Sequence, residues 1–298
     1  ELLGVYERKV ELVGEPDEKK QIYFDMATVH EGQLANPGAA IDTYNKVLDL
    51  DPADLTAIGH LDALYQSQGR WRDLLGILER EADLAGEPAE VVEFRYRSAR
   101  LHEEHLEGTA RAVEIYRDIL EAAPEHEASL AALTRILHGD KEPIAAAAVL
   151  EPVLNAAQAY DGLVDVLEVQ LAHADDRPRR VELLHRIADI QEQVLDQPAA
   201  ALDALARAVP SEALNEHTLT NLERLAEGLN QWPRAAQTYD RAVAGLTDQP
   251  GDRLELLLRG AAIYEVHLGD AEGAIARYRQ ALEIDAQSGT ALRSLDRL

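Results

Sequence analysis

Apolar and polar residues follow one another along the chain with the spacing of amphipathic helices, and the same arrangement returns four times. One alanine of the pattern recurs at Ala27, Ala99, Ala188 and Ala261. Its successive copies lie 72, 89 and 73 residues apart. A second alanine keeps the same steps, at Ala40, Ala112, Ala201 and Ala274. A fixed period of this kind is typical of stacked-repeat proteins, so the pattern predicts a repeated unit of about 72 residues.

The second unit, residues 71–138, shows how each copy is built. Apolar residues fall at helical spacing four times in it, and segments rich in Gly and Pro at 86–88, 107–109 and 123–124 separate the runs. The pattern predicts helices over 71–85, 89–106, 109–122 and 125–138. Short helices with such short connections fold back as antiparallel neighbours.

The same four helices can be placed on units at 1–67, 71–138, 160–228 and 232–298. The extra residues of the second step fall on the alanine-rich segment 141–158, which is predicted to form an odd helix. Pro152 removes a backbone donor there, so a kink or a break is expected near Leu150 or Glu151. We therefore predict a single array over 1–298 with a hinge in this region.

Composition favours an all-α protein. Hydrophobic residues make up 46% of the chain and are dominated by alanine and leucine, whereas aromatic residues reach only 5%. A solenoid grows by adding units, so 298 residues do not require a second core.

Charge narrows the class of partner. The chain has 55 acidic and 29 basic residues, with a net charge of −26. Phosphate backbones and anionic membranes repel such a surface, so basic protein segments are better candidates than nucleic acid or lipid. No stretch approaches the roughly 18 apolar residues of a membrane span, and membrane insertion is not expected.

Catalytic and metal-binding chemistry finds no support in the motifs. There is no cysteine, no glycine-rich phosphate loop and no serine-histidine-aspartate order typical of a hydrolase. His102 and His105 are spaced one residue too closely for a zinc-binding His-Glu-x-x-His motif and are interpreted as solvated helix residues. We predict a protein that is not an enzyme and has no cofactor.

One segment carries a family resemblance. Residues 35–71 contain a small residue, an aromatic and a helix-ending proline at steps of four and eight, namely Ala40, Tyr44 and Pro52. The same steps recur at 112, 116 and 124, and residues 269–287 extend the match. The chain resembles a long, divergent tetratricopeptide array of bacterial type. The resemblance implies a right-handed α-solenoid of antiparallel helix pairs, with about 17 helices, whose inner helices line a groove for protein segments.

A repeated glutamate provides the candidate binding site. It occupies the same place in each unit, at Glu31, Glu103, Glu192 and Glu265. One interpretation is simple solvation of a helix face; the other is an acidic groove for a peptide that carries Lys or Arg. The resemblance then implies a groove formed by Phe24, Glu31, Tyr96, Arg100, Glu103, His185, Glu192, Leu258 and Glu265.

Two smaller features complete the candidates. The basic run Arg177, Arg179, Arg180 and Arg186 either balances Asp175 and Asp176 or receives an acidic patch of another molecule. The aromatic residues that open the first helices of successive units are predicted to fill the core, and they are Trp71, Tyr160 and Trp232.

The sequence thus predicts a non-catalytic scaffold that binds peptide or protein segments and organises a complex. Two alternatives stay open: a structural element that stacks end to end through uncapped ends, or the regulatory arm of a longer enzyme. The chain begins and stops inside repeats, so we expect the natural protein to extend further, and the sequence leaves cytoplasm and export equally open.

Overall fold

The computed structural model describes residues 2–298, which form seventeen α-helices and no strand. The helices are α1 (Leu2–Leu12), α2 (Pro16–Thr28), α3 (Pro37–Leu50), α4 (Leu55–Ser67), α5 (Trp71–Leu84), α6 (Pro88–Glu104), α7 (Thr109–Ala122), α8 (Glu127–Leu137), α9 (Pro143–Ala156), α10 (Tyr160–Ala172), α11 (Arg177–Gln193), α12 (Pro198–Ala208), α13 (Glu216–Gly228), α14 (Trp232–Gly245), α15 (Pro250–Ala262), α16 (Ala271–Ile284) and α17 (Gly289–Arg297). Two π-helical turns, Val29–Gln33 and Ile263–His267, directly follow α2 and α15. The prediction of an all-α protein is confirmed.

Polar caps and prolines set where the helices begin. The Asp54 carboxylate accepts hydrogen bonds from the backbone N–H groups of Thr56 and Ala57 at the start of α4. Asn36 and Asn215 cap α3 and α13 in the same way. Such caps satisfy the amide groups that have no partner within the first helical turn. Proline stands in the first turn of α2, α3, α6, α11, α12, α14 and α15, where its missing N–H costs nothing.

The chain divides into two compact units, one ending at Val149 and the other beginning at Leu150. The division lies within α9, which runs from Pro143 to Ala156 without interruption although Pro152 is inside it. The break into two shorter helices that was considered at this proline is therefore wrong. Alanine-rich composition and the burial of Val149 and Leu150 favour one helix despite the missing donor. The division into four repeats and the hinge stay predictions.

Side-chain pairs show which helices are neighbours in the first unit. Arg97 of α6 donates two hydrogen bonds, of 2.8 and 2.7 Å, to Asp62 of α4. Arg135 of α8 donates to Glu103 of α6. Helices α2, α4, α6 and α8 thus lie side by side and are called layer A of this unit. Helices α3, α5 and α7 form the second layer, layer B.

The second unit has the same two layers. His185 of α11 lies 2.7 Å from the hydroxyl of Thr218 in α13, and Arg259 of α15 donates to Glu216 of α13 at 2.8 Å. Layer A of this unit therefore contains α11, α13, α15 and α17. Layer B contains α10, α12, α14 and α16, in which Arg207 of α12 pairs with Glu168 of α10. Each unit is an α-solenoid of antiparallel helix pairs; the right-handed sense stays a prediction.

The repeated alanines lie where paired helices approach each other. All eight are buried, and Ala40, Ala112, Ala201 and Ala274 have no exposed surface. Leucine, isoleucine and buried tyrosine rings surround them. A larger side chain at these positions would force the two helices apart, because a closely packed core has no room for added methylene groups.

The aromatic residues that open the first helices, Trp71, Tyr160 and Trp232, pack against the core as predicted, but all three are only half-buried. Each tryptophan covers the end of a layer A helix with one ring face. Trp71 stacks on His105 with ring centroids 3.9 Å apart, and Trp232 stacks on His267 at 3.6 Å. His105 is therefore not simply solvated. Burial lowers the pKa of its neighbour His102.

Each layer A helix that bears the repeated glutamate is followed by one residue in the left-handed conformation. These residues are Ala35, Glu107, Asp196 and Gly269, with φ of 46°, 52°, 53° and 64°. Before this residue the helix widens, as at Leu34, whose N–H donates to the carbonyl of Val29, five residues back. Only glycine adopts this conformation without steric cost, so three of the four ends hold a strained residue.

Substitution of Ala35 by glycine tests this strain. We expect Ala35→Gly to raise the free energy of unfolding by about 0.5–1 kcal/mol, because relief of the left-handed alanine exceeds the added chain entropy. The matched control is Ala131→Gly on an exposed position inside α8. It should lower the free energy by about 1 kcal/mol. Urea unfolding measures both, and a loss of stability at both positions would contradict the interpretation.

Candidate functional site

The four repeated glutamates lie at the ends of layer A helices and are partly covered. Glu103 and Glu192 belong to the last turns of α6 and α11, whereas Glu31 and Glu265 lie in the π-helical turns. Their side chains are 37% exposed at Glu31, 15% at Glu103, 25% at Glu192 and 12% at Glu265. Simple solvation does not describe these carboxylates.

Three of them accept a hydrogen bond from a buried tyrosine of the next helix. Tyr44 donates to Glu31 at 3.1 Å, Tyr116 to Glu103 at 3.1 Å and Tyr278 to Glu265 at 2.9 Å. A buried hydroxyl needs such a partner. Burial, with a further effect from the carboxylate, raises the pKa of Tyr44 to about 12 and the pKa values of Tyr116 and Tyr278 in the same direction.

An arginine of the next layer A helix pairs with three of the glutamates. Arg135 donates to Glu103 at 2.8 Å, Arg224 to Glu192 at 2.7 Å and Arg297 to Glu265 at 2.9 Å. These arginines are 60%, 51% and 67% exposed, so the guanidinium and not the carboxylate is the more accessible partner. Bidentate pairs of this kind are among the stronger hydrogen bonds in proteins.

Glu31 differs from the other three. The position of the arginine is occupied by Ala63, and the nearest basic group is His60, whose Nδ1 lies 3.3 Å from the carboxylate. The His60 ring stacks on Tyr44 with centroids 4.7 Å apart. Glu31 is therefore the most exposed of the four carboxylates and lacks a permanently charged partner.

The residues predicted to flank the glutamates are half-buried on the same layer. Phe24 meets the edge of Tyr44, and Tyr96 lies 5.4 Å from the ring of His126. Arg100 is exposed and pairs with Glu104, one turn along α6.

In the second unit, the ring of His185 lies 4.9 Å from His217, and Leu258 packs against the core. Burial and the neighbouring His217 lower the pKa of His185. The structure thus brings Phe24 and Glu31 onto layer A of one unit together with Tyr96, Arg100 and Glu103. His185, Glu192, Leu258 and Glu265 share layer A of the other.

Sequence profiles described as tetratricopeptide repeat match three segments of the chain, residues 21–54, 57–92 and 218–254. Each segment contains a layer A helix followed by a layer B helix. These three segments are tetratricopeptide repeats. A protein-interaction scaffold is the general role that tetratricopeptide repeats support.

Solved structures of other repeat proteins are similar to this chain at low identity. A tetratricopeptide repeat protein from Parabacteroides merdae is 13% identical, with 93% of this chain and 97% of that chain covered and a TM-score of 0.30. The TPR2AB domain of yeast Sti1, in its pHSP90 complex, is 15% identical, with 94% of this chain and 97% of that chain covered and a TM-score of 0.30. BtubC from P. vanneervenii is 19% identical, with 86% and 91% covered and a TM-score of 0.28. These TM-scores are too low to bear on function. No curated protein sequence matches the chain.

Most arginines of the predicted basic run make contacts within the second unit. Arg179 donates to Glu182 and Gln170, Arg180 to main-chain carbonyls at the end of α10, and Arg186 to Glu151. Neither Asp175 nor Asp176 is the side-chain partner in these contacts. Arg177 lines a cleft at the start of α11.

A second repeated ion pair went unnoticed in the sequence. Arg97 pairs with Asp62, Arg186 with Glu151, and Arg259 lies 3.5 Å from Glu223. The three arginines stand 89 and 73 residues apart, the same steps as the alanines. The repeated spacing of these three arginines is the feature of the sequence from which the ion pair could have been predicted.

Two further classes of site have no support in the part of the chain that the structure describes. Residues 2–298 contain no cluster of three or more His, Asp or Glu side chains placed to hold a metal ion. No helix among them is long and apolar enough to cross a membrane.

Removal of the Tyr44 hydroxyl tests the tyrosine–glutamate pair. We expect Tyr44→Phe to lower the free energy of unfolding by about 1 kcal/mol at pH 8, as for other hydrogen bonds to partly covered charged groups. Because folding raises the pKa of Tyr44 from 10.0 to about 12, its contribution is complete below pH 10 and is lost as the pH rises through about 12. The difference between wild type and variant in urea unfolding should shrink over this range.

The control for this prediction is Tyr23→Phe on α2, because Tyr23 is half-buried and contacts Lys46 through its ring, which the substitution keeps. Tyr23→Phe should change the stability by less than about 0.5 kcal/mol at every pH. Equal losses in the two variants would show that the contact with Glu31 contributes nothing.

Glu81 provides a test at lower pH. Its Oε2 atom is buried without a hydrogen bond, and it lies 4.0 Å from Arg97. Burial, with a further effect from Asp62, raises the pKa of Glu81 to about 7. The protonated form is therefore favoured in the fold, and its contribution to stability is complete below the ordinary pKa of 4.5 and lost as the pH rises through about 7.

We expect Glu81→Gln to stabilise the protein relative to wild type at pH 8 and to have little effect at pH 4.5. Glu79→Gln, on an exposed position of the same helix, is the control and should show no such dependence. Thermal unfolding at the two pH values measures both variants. A uniform destabilisation by Glu81→Gln would instead indicate that the ionised carboxylate is the stabilising form.

Proposed function

We propose that this protein is a non-catalytic scaffold that binds a peptide or protein segment across its layer A helices and thereby organises a complex. The observation that carries the proposal is the repeated group of partly accessible side chains on layer A. In a helix pair that served packing alone, the aromatic rings of Phe24 and Tyr96 would be expected in the core. Instead they are half-buried beside charged groups.

The chemistry of the surface favours a segment that combines an apolar or aromatic anchor with a basic residue. Phe24 of α2 offers apolar contact, and Glu31, in the π-helical turn that follows α2, offers a carboxylate without an arginine partner. A lysine or arginine of the partner can take the place that Arg135 occupies beside Glu103. The net charge of −26 attracts basic segments and accelerates their association.

The arginines of layer A restrict this preference. Because Arg135, Arg224 and Arg297 cover their glutamates, the charge of these three carboxylates is already balanced within each unit. A basic residue therefore gains most at Glu31, whereas a partner carboxylate can approach the exposed guanidinium groups elsewhere. Segments with alternating charge fit this arrangement better than a uniformly basic peptide.

A displayed library of random twelve-residue peptides, selected against the whole chain, tests the proposal. We expect selected peptides to be enriched in Lys, Arg and aromatic residues and to bind more weakly as salt is raised. Phe24→Ala and Glu31→Gln should each weaken binding about fivefold or more, since contacts near the centre of an interface contribute most. Fluorescence anisotropy with labelled peptides measures the affinities.

The matched control is Glu121→Gln, which removes the same charge from an exposed position of layer B. It should leave the affinity within twofold. Peptides that lose affinity with Glu121→Gln but not with Phe24→Ala or Glu31→Gln would locate binding on the other layer and overturn the proposal.

A further inference from the structure

The second unit contains a cavity lined by arginine, formed mainly by the layer B helices α12 and α14 with Arg180 of the layer A helix α11 at its edge. Its volume is about 820 Å³, and Arg180, Arg207, Arg234 and Arg241 contribute to its wall, with Asp203 as the acidic member. The chain as a whole has 55 acidic and 29 basic residues, so the wall of this cavity has the opposite balance of charge. Arginines repel one another, so they cluster where carboxylates or an anionic partner compensate them.

Two of the four arginines are already compensated. Arg207 donates to both oxygens of Glu168, at 2.6 and 2.8 Å, and Arg234 pairs with Asp203. These contacts join α12 to α10 and α14 to α12, so they hold layer B together. At these two positions, the positive charge in the wall of the cavity is therefore balanced by a carboxylate.

The other two arginines keep their positive charge available. Arg180 donates to the carbonyl oxygens of Leu171 and Ala174, at 3.1 and 3.3 Å, and these neutral partners fix its position without cancelling its charge. Arg241 is exposed on α14 and has no ion-pair partner among residues 2–298. Both side chains border the same cavity.

We propose that this cavity binds an acidic protein segment, whose Asp or Glu carboxylates pair with Arg180 and Arg241. A guanidinium group presents two parallel N–H donors that match the two oxygens of a carboxylate. The volume lies within the range of ligand-binding pockets and accommodates a few side chains of a segment rather than a large domain. Gln237 adds an amide to the wall that can bind a main-chain carbonyl or N–H group.

Charge favours a short acidic segment over nucleic acid. A phosphate backbone places a negative charge at every nucleotide, and the net charge of −26 repels such a polymer along its whole length. A segment with two or three carboxylates satisfies Arg180 and Arg241 and brings little further charge near the acidic surface. Screening limits that repulsion to about 8 Å at physiological salt.

This site is independent of the binding proposed for layer A. The cavity lies mainly between α12 and α14 of layer B, and none of its lining residues belongs to the candidate groove. Loss of one activity would therefore leave the other intact. A protein with both sites would hold one basic and one acidic segment.

The test uses the whole chain and a fluorescein-labelled ten-residue peptide with four glutamates in a Gly-Ser background. We expect saturable binding that Arg180→Gln and Arg241→Gln together weaken about tenfold or more, the effect of losing one or two charge-assisted contacts. The matched control is Arg279→Gln, on an exposed position of α16 in the same layer, and it should change the affinity less than twofold. Arg241→Gln alone, which removes no internal contact, should still weaken binding if the double variant folds poorly.

Several outcomes would overturn the proposal. Equal effects of Arg279→Gln and Arg241→Gln would show general attraction to any arginine of the surface. Equal binding of a ten-nucleotide single-stranded DNA, or equal competition by inorganic phosphate, would show an unselective anion site. Self-association in sedimentation that Arg241→Gln abolishes would assign the cavity to a second copy of this chain.

Discussion

Close approach of paired helices is the constraint on which the rest of the structure depends, and alanine makes it possible. Ala40, Ala112, Ala201 and Ala274 are completely buried where a layer B helix meets its layer A neighbour. Helices separated by larger side chains pack about 1–2 Å further apart, within the usual range of 8–10 Å between axes. At that separation the hydroxyl of Tyr116 would no longer reach Glu103, and the buried ring would lose its hydrogen bond.

Ion pairs between neighbouring helices explain how so acidic a chain keeps its layers together. Arginine supplies most of the 29 basic residues. Several arginines join neighbouring helices, as Arg97 does with Asp62, Arg135 with Glu103 and Arg207 with Glu168. Each pair joins helices that are two apart in the chain and so belong to the same layer. Carboxylates without such partners lie mostly on the exposed faces, where water and salt screen their repulsion.

The fold could be predicted from the sequence because its signals are local and repeated. Alanine and leucine at helical spacing indicated the helices, and Gly and Pro indicated their ends. The position of the repeated glutamate could be predicted as well, but not its partners. Arg135 and Tyr116 are 32 and 13 residues from Glu103, on two other helices, and only packing brings them together.

The predictions of a break at Pro152 and of a fully buried Trp71 failed for the same reason. In both cases, contacts with residues distant in the sequence outweighed a local rule. Pro152 removes one hydrogen bond from α9, yet the helix continues, because Val149 and Leu150 before it are buried and Leu154 after it packs against the core. Trp71 was expected in the core for its size, but its flat ring fits the equally flat ring of His105 at the edge of the layer. Stacking of this kind depends on a partner 34 residues away.

The contacts of the repeated glutamate also determine how strongly one repeat is coupled to the next. Each carboxylate of Glu103 and Glu265 joins three helices, two of its own repeat and one of the following repeat. In a linear array of repeats, the cooperativity of unfolding depends on the interaction energies between adjacent repeats. Where α2 meets α4, an imidazole replaces the guanidinium: the Nδ1 atom of His60 lies 3.3 Å from the Glu31 carboxylate, and no bidentate pair forms there. The repeated glutamate therefore contributes least to the coupling where α2 meets α4, and at this junction the ion pairs of Lys20 with Asp51 and Asp54 supply a separate connection.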